Sequence, residues 1–380
     1  MSEDPGYFDH NATTPMSGAA LEAWKTTAIK QWQNPSSLYP SAAAARHLLE
    51  ETRETLADYF GIDQPERIVF TSGATEANNA VIRQLASGGG VIALSGLEHP
   101  CVQAPVEAFF PEDRVRRIPV VPETGVIDLE VLERWISGGE LSGVSVMAAN
   151  NETGAVQPWR EIAALCRRAG VRYHNDAAQW MGKCPLEGLE RCDFVTGSGH
   201  KFGGGKGVGF LILPGDFETT HFHGQVGGPQ EDGRRAGTED LPGIVAMVAA
   251  LGEHIDPAGE ASAATKAEAR DAFERCIGSE IGCRFLAAGG PRLWNTSLFV
   301  VPHSKNLKWL TRLGARRFSV STGSACSAGK GNPSSVMLAM GLDYEEMGRV
   351  IRVSGGWHTG EGDWEALARA FIEIDRELRD

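Results

Sequence analysis

Short runs of β-branched and large apolar residues recur between residues 60 and 215: "RIVF", "VIALS", "VSVMAAN", "VRYHN", "DFVTGS" and "GFLIL". Longer stretches with apolar residues at helical spacing separate them, of which "PWREIAALCRRAG" is the clearest. This alternation predicts a mostly parallel sheet with helices on both faces. Ligands of such sheets gather outside the carboxyl ends of the strands. The next stretch, "HFHGQVGGPQEDGRRAGTED", is polar, Gly-rich and without period, and reads as a long functional loop, followed by a helix at "LPGIVAMVAALGEHI". From about residue 258 the character changes. A charged, Ala-rich helix ("ASAATKAEARDAFERC") leads to strands at "TSLFVV" and "RFSVS", and the chain closes on the amphipathic "DWEALARAFIEIDREL". The pattern predicts an α/β protein with a large domain over 15–255 and a smaller α/β domain over 256–380, joined by residues 1–14.

Composition narrows the function classes. A chain of 380 residues is long for one simple core, which agrees with two domains. Net charge is −13 without a Lys/Arg block, which argues against direct contact with nucleic acid. No apolar run reaches membrane-spanning length and the start, "MSEDPGYFDH", is acidic, so the expected location is cytoplasmic. Seven cysteines without a C-x-x-C pair suggest neither a disulfide framework nor a metal site.

Candidate chemistry begins at "TGSGHKFGGGKGVGFL", where Lys201 stands between a histidine and a run of glycines. A nucleotide-phosphate loop of the form G-x-x-x-x-G-K-[ST] fails here: aligned on Gly205 and Lys206, its first glycine falls on His200 and its hydroxyl position on Gly207. A G-x-G-x-x-G fingerprint fails at Val208. A covalent anchor for an aldehyde cofactor suits the setting better. Such a lysine must reach a carbonyl carbon and shed its proton in a desolvated pocket, while Ser198 and His200 donate to a phosphate. A plain turn stays open on these residues alone.

Two further segments bear on the choice. Asp176 follows the strand "VRYHN", where a carboxylate can pair with a protonated pyridine nitrogen, and Gln179 lies within reach of a ring oxygen. In "IVFTSGATEANNAVI", the backbone N–H groups of Gly73, Ala74 and Thr75, with the Thr75 hydroxyl, form an anion site at a helix start. Either segment alone also reads as a helix cap. Phosphate cradle, ring carboxylate and lysine nonetheless follow in order, each after a strand of one sheet.

As a set, "YFDHNATTP", "NPSS", "FTSGATEANN", "LEHP", "NNETGAVQP", "HNDAAQ", "GSGHKFGGGKGVGFL", "GGPQEDGRRAGTED", "STGSACSAG" and "IRVSGGWHTG" closely resemble the cysteine desulfurases. These are pyridoxal 5′-phosphate enzymes of the aminotransferase class V group with fold type I. The resemblance runs nearly end to end. It implies that Lys201 anchors the cofactor, Asp176 pairs with its ring nitrogen and Gln179 with its ring oxygen. Thr75, Ser198 and His200 would bind the phosphate, and Thr238 would reach the phosphate of a neighbouring subunit in a homodimer. His99 would stack on the ring and relay protons, Asn151 would sit near the ring oxygen and substrate, and Arg352, helped by Asn34, would clamp the substrate carboxylate. Cys326, in a run of small residues unlike the helical settings of Cys166 and Cys276, would be the nucleophile. The implied reaction takes sulfur from L-cysteine, giving L-alanine and a persulfide on Cys326. The sulfur would pass to a protein acceptor or scaffold in iron–sulfur cluster, tRNA-thiolation or thio-cofactor synthesis.

Departures from the family pattern include Tyr39 at a histidine position, Pro229 within "GGPQE", and Gly355 where a bulky apolar residue is usual. They leave the catalytic groups in place and put the acceptor in doubt. A selenocysteine lyase or aminotransferase on the same fold would need Lys201 and Asp176 without Cys326. A non-catalytic sulfur carrier would need none of them.

Overall fold

The structure is a computed structural model that describes residues 6–216, 222–255, 258–323 and 334–379, with the side chains of 258–262 left aside. Twelve strands follow in chain order: β1 (Ile68–Thr71), β2 (Ile92–Ser95), β3 (Val115–Ile118), β4 (Val120–Val121), β5 (Val126–Ile127), β6 (Gly143–Ser145), β7 (Arg172–Asp176), β8 (Phe194–Ser198), β9 (Gly209–Ile212), β10 (Arg284–Phe285), β11 (Thr296–Val300) and β12 (Val350–Ser354). Seven form one sheet in the order β1-β9-β8-β7-β6-β2-β3. Only β9 runs against its neighbours, β1 and β8. The apolar runs β1, β2, β8 and β9 are buried along their whole length, as strands covered on both faces require. Edge strand β3, "VRRI", escapes the apolar pattern because Arg116 and Arg117 blunt an otherwise unpaired edge.

A second core gathers on the antiparallel sheet β10-β11-β12 beneath the helices Ala258–Ile281 and Glu361–Arg379. Phe8 of the N-terminal segment belongs to this core, its ring 4.9 Å from that of Trp364. Full burial of such a ring stabilises by about 1.5–3 kcal/mol. The expected strand "RFSVS" is not a ladder strand. It makes single bridges from Ser319 to Tyr7 and from Ser321 to Arg352. Its neighbour is the irregular segment 6–10, which threads between it and β12 through Phe8 N to Ser319 O (2.8 Å) and Ser354 N to Phe8 O (2.8 Å). That threading brings Asp9 beside Arg352.

The stretch 222–240 is largely irregular and reverses direction at Gln230–Gly233, where Glu231 (φ 52°) and Asp232 (φ 55°) adopt left-handed backbone. Burial holds the strain: the Glu231 carboxylate accepts from Arg53 Nη1 (2.7 Å), Arg53 Nη2 (2.9 Å) and the N–H of Phe70 in β1. Among the described residues no helix is long and apolar enough to cross a membrane.

Candidate active site

The strands β1, β2, β6, β7 and β8 end on the same side of the large sheet. The segments leaving them carry Gly73–Thr75, His99, Asn151, Asp176 and Ser198–Lys201 in turn. Beyond β1, Gly73 (φ 146°) precedes the helix Ala74–Ser87 without a side-chain cap, so the first N–H groups of that helix face the site. The Gly73 N–H itself turns back to Thr71 Oγ1 at 3.3 Å, which leaves Ala74 and Thr75 as the backbone donors. A Cβ at Gly73 would lie 3.4 Å from Ser198 Oγ, so β8 brings Ser198 against this turn. Gly209 admits no side chain at all, since its Cβ would stand 2.6 Å from Gly73 Cα and 2.5 Å from Gly197 O. Some of the glycines after Lys201 thus serve close backbone passage beneath the cradle. Thr75 is exposed at its mouth, and His200 is half-buried, its Nδ1 3.1 Å from Thr13 Oγ1.

Asp176 is 6% exposed at the end of β7. Its Oδ1 accepts from the N–H of Ala178 (3.0 Å) and its Oδ2 from Asn78 Nδ2 (2.8 Å). The Asn78 amide is fixed in turn, because its Oδ1 accepts from Thr196 Oγ1 (2.6 Å) and lies 3.0 Å from His174 Nε2. Burial pushes His174 down to about 4, so it is neutral at pH 7, with its Nδ1 on Ser145 Oγ. The carboxylate therefore rests on a neutral network that cannot quench its charge.

Lys201 Nζ donates to the carbonyls of Asn11 (2.7 Å) and Ala12 (2.9 Å). Burial, aided by the Arg352 charge and opposed by Asp176, brings the amine down to about 8. Gln179 Nε2 reaches the same Asn11 carbonyl at 2.9 Å. His99 caps the helix Pro100–Phe109: its Nδ1 accepts from the Cys101 N–H (3.2 Å) and lies 2.9 Å from Cys101 Sγ. That network assigns the ring proton to Nε2. Burial lowers the histidine's pKa, which keeps the ring neutral.

Arg352 lies fully inside the protein on β12. Its Nη2 donates to Asp9 Oδ1 (2.5 Å) and its Nη1 to Asn151 O (2.9 Å). Its Nε and the neighbouring Asn151 Oδ1 are buried without partners among the described residues. The predicted surroundings of Arg352 are thus present in part. Asn34 is not brought to it: the side chain is exposed and its Oδ1 caps its own turn at Ser36 N. Thr238 is exposed as well. Cys326 lies outside the described residues.

Several participants were not singled out from the sequence: Asp9, Asn11, Asn78, Cys101 and Lys183. For Asn78 a signal existed, a polar residue on the buried face that Ala77, Ala80 and Val81 otherwise make apolar. Chemically, the set can hold a planar, phosphorylated aldehyde. An uncapped helix start and Ser198 would suit the phosphate, a fixed carboxylate a ring nitrogen, an amide a ring oxygen, and an amine that readily loses its proton the carbonyl carbon. The orphaned Arg352 Nε offers a donor to a carboxylate.

A family model for class-V aminotransferases matches residues 6–367. A cysteine desulfurase of Bradyrhizobium diazoefficiens is 34% identical over 389 residues, spanning 100% of this chain and 97% of its own. Among solved structures, a NifS-like protein from Rickettsia africae is 30% identical with a TM-score of 0.86, over 97% of this chain and 98% of that one. A structure of SspA in complex with cysteine is 31% identical with a TM-score of 0.78, over 92% and 98%. With a match of this breadth, the chain belongs to the class-V aminotransferases, a pyridoxal-phosphate-dependent family, and within them to the cysteine desulfurases.

Proposed function

We propose that this chain, as a homodimer, uses pyridoxal 5′-phosphate to take sulfur from L-cysteine and leaves it as a persulfide on Cys326 for a protein acceptor. In the overall step the C–S bond of cysteine breaks and an S–S bond forms at Cys326. The carbon is reduced to the methyl group of L-alanine and the transferred sulfur is oxidised to the sulfane level. The observation that carries the reading is Lys201, a buried amine on two carbonyls that titrates near 8, one strand away from a carboxylate with both oxygens fixed.

When bound, the cofactor supplies a sink for the electron pair left on the amino acid's Cα. The chain's own groups do the rest. Asp176 holds negative charge against the ring nitrogen, while Gln179 presents an N–H toward the ring oxygen. The Lys201 amine, neutral above about pH 8, takes and returns a proton at Cα. With its proton on Nε2, His99 donates a hydrogen bond to the substrate sulfur and orients it for attack by Cys326; the tautomer favours this over service as a base. The Arg352 Nε–H meets the substrate carboxylate, and Asn151 Oδ1 faces the substrate amine.

The dimer is supported by an apolar rim. Trp32 is 73% exposed, Leu38 95% and Val226 77%. The loop bearing Pro35 and Ser36 shares a cavity of about 520 Å³ with Pro229, Gln230 and Glu239, next to Thr238. Side chains of this size left in the open on the segments that line that cavity give a second chain apolar surface to cover. One experiment tests the whole reading. Protein loaded with pyridoxal phosphate is given L-cysteine and a reductant, and alanine and sulfide are quantified. The two are expected in equal amounts and are lost together in Cys326→Ala. Undiminished alanine in that variant would refute the desulfurase route.

A further inference from the structure

Lys183 stands four residues beyond Gln179 in the turn that follows β7 and is 7% exposed. Among the described residues it forms no ion pair. Its Nζ donates to Gln179 Oε1 (3.1 Å) and Gln179 O (3.3 Å). An ammonium carries only donors, so the amide oxygen of Gln179 is held toward Lys183 and its nitrogen toward the site. There Nε2 gives one hydrogen to Asn11 O, the carbonyl that also receives Lys201 Nζ. The second hydrogen is left for the cofactor's ring oxygen. A continuous chain therefore runs Lys183–Gln179–Asn11–Lys201, with an amine at each end.

We propose that Lys183 is a positioning residue: a second buried amine that fixes the Gln179 amide with its N–H toward the ring oxygen and tunes the charge at Lys201 through the same chain. The inference rests on the function proposed above and adds to it a residue that touches neither cofactor nor substrate. Removing Lys183 deprives Oε1 of its donor, and a buried amide oxygen without one is costly enough to let the side chain turn. Around it stand Lys201 and His200 after β8, His10 of the N-terminal segment and His254 beyond the helix Leu241–Gly252, with Cys184 the one acidic neighbour that couples to it. The three histidines are lowered to about 4 by burial and stay neutral at pH 7, so Lys201 is the basic neighbour whose charge bears on it. Burial and the Lys201 charge bring Lys183 down to about 7. Its charge therefore changes around neutral pH.

The test compares wild type with Lys183→Met, Lys183→Arg and Lys183→Gln, each loaded with pyridoxal phosphate. Two readouts are used: the pH titration of the bound cofactor's visible absorption, and the dissociation constant of pyridoxal phosphate from the apo chain. Lys183→Met is expected to weaken binding roughly tenfold, the worth of one well-placed hydrogen bond. Its titration midpoint should rise by about one pH unit, because a nearby cation and a donor to the ring oxygen both favour the deprotonated form. Lys183→Arg restores both. Lys183→Gln, which keeps a donor for Gln179 without charge, holds affinity near wild type while the midpoint still rises; it carries the test if the Met variant fails to fold. In a Gln179→Met background, Lys183→Met should no longer alter affinity. An unchanged midpoint in the Met and Gln variants, or an undiminished affinity loss in the Gln179→Met background, overturns the proposal. Absorption shared by wild type and Lys201→Ala would instead overturn the cofactor reading beneath it.

Discussion

Asp176 and Thr238 are both expected at one cofactor, yet they stand in opposite circumstances. Asp176 belongs to a floor of strand ends, buried and tied to Asn78, a residue 98 positions away in sequence. Lys201, Gln179 and Arg352 share that condition, each hydrogen-bonded to a distant segment. Thr238, Asn34 and Thr75 form an exposed rim, and the Asn34 side chain closes its own turn. The contrast separates two kinds of task. Groups that hold a charge or a proton in place need a surround that a single chain completes. Groups that meet another molecule or another chain must stay at the surface until it arrives.

Arg53 joins the two regions, and breaking that joint should have the largest effect. Its guanidinium holds Glu231, the inward-turned residue of the rim loop, through two hydrogen bonds, while the same carboxylate accepts from the backbone of β1. Arg53→Ala would strand a buried carboxylate on a backbone already at φ 52°. Loss of one partner from such a pair costs about 3–5 kcal/mol. Urea denaturation should show a loss of that size, and Glu231→Gln, which keeps an acceptor without charge, a smaller one. An Arg53→Ala variant as stable as wild type would mean that the loop is not anchored here.

The floor has a cost of its own that pH exposes. Glu98 is fully buried next to His99; Met147 N donates to its Oε1 (2.7 Å), while its Oε2 has no partner among the described residues. Burial, helped by the Asp176 charge, raises its pKa to about 8 from an ordinary 4.5. The unfolded chain loses this proton near 4.5 and the folded chain keeps it until about 8, so each upward step in pH between those values favours unfolding. Above about 8 both states are ionised and the dependence ends. Glu98→Gln removes that loss. Its stability relative to wild type should climb by a few kcal/mol from pH 4.5 to 8 and then level off. A difference independent of pH would show that Glu98 is ionised in the fold.

The same division decides what the sequence discloses. Lys201, Asp176 and the Gly73–Thr75 turn are legible because each is a local signal, a residue type placed just after an apolar run. Asp9 is not, since its partner Arg352 lies 343 positions away and only the threading of residues 6–10 along β12 unites them. Lys183 reads as an ordinary cation until the fold buries it, and Cys101 as one more small thiol until the His99 cap turns it inward. One strand went unread and one expected strand failed, for comparable reasons. "VRRI" lacks apolar character because it is an edge, and "RFSVS" has the character without a regular neighbour to pair with. The site's chemistry is written in strand-end residues, while its support is distributed among contacts that periodicity does not carry.

The smallest expected effect belongs to the rim. Thr238→Ala removes one hydroxyl from an exposed position, so fold and stability should stay as they are, while affinity for pyridoxal phosphate falls about two- to tenfold, the range of one hydrogen bond. Taken alone, that loss would not say which chain's site the hydroxyl serves. A mixed dimer decides it. Pair a Thr238→Ala chain with a Lys201→Ala chain: the only site with a covalent anchor then lies on the chain lacking Thr238, and its neighbour supplies an intact one. If Thr238 acts across the interface, that site binds the cofactor with wild-type affinity. If it acts within its own chain, the affinity stays reduced, and the rim would have to be regrouped with the floor as part of what one chain completes unaided.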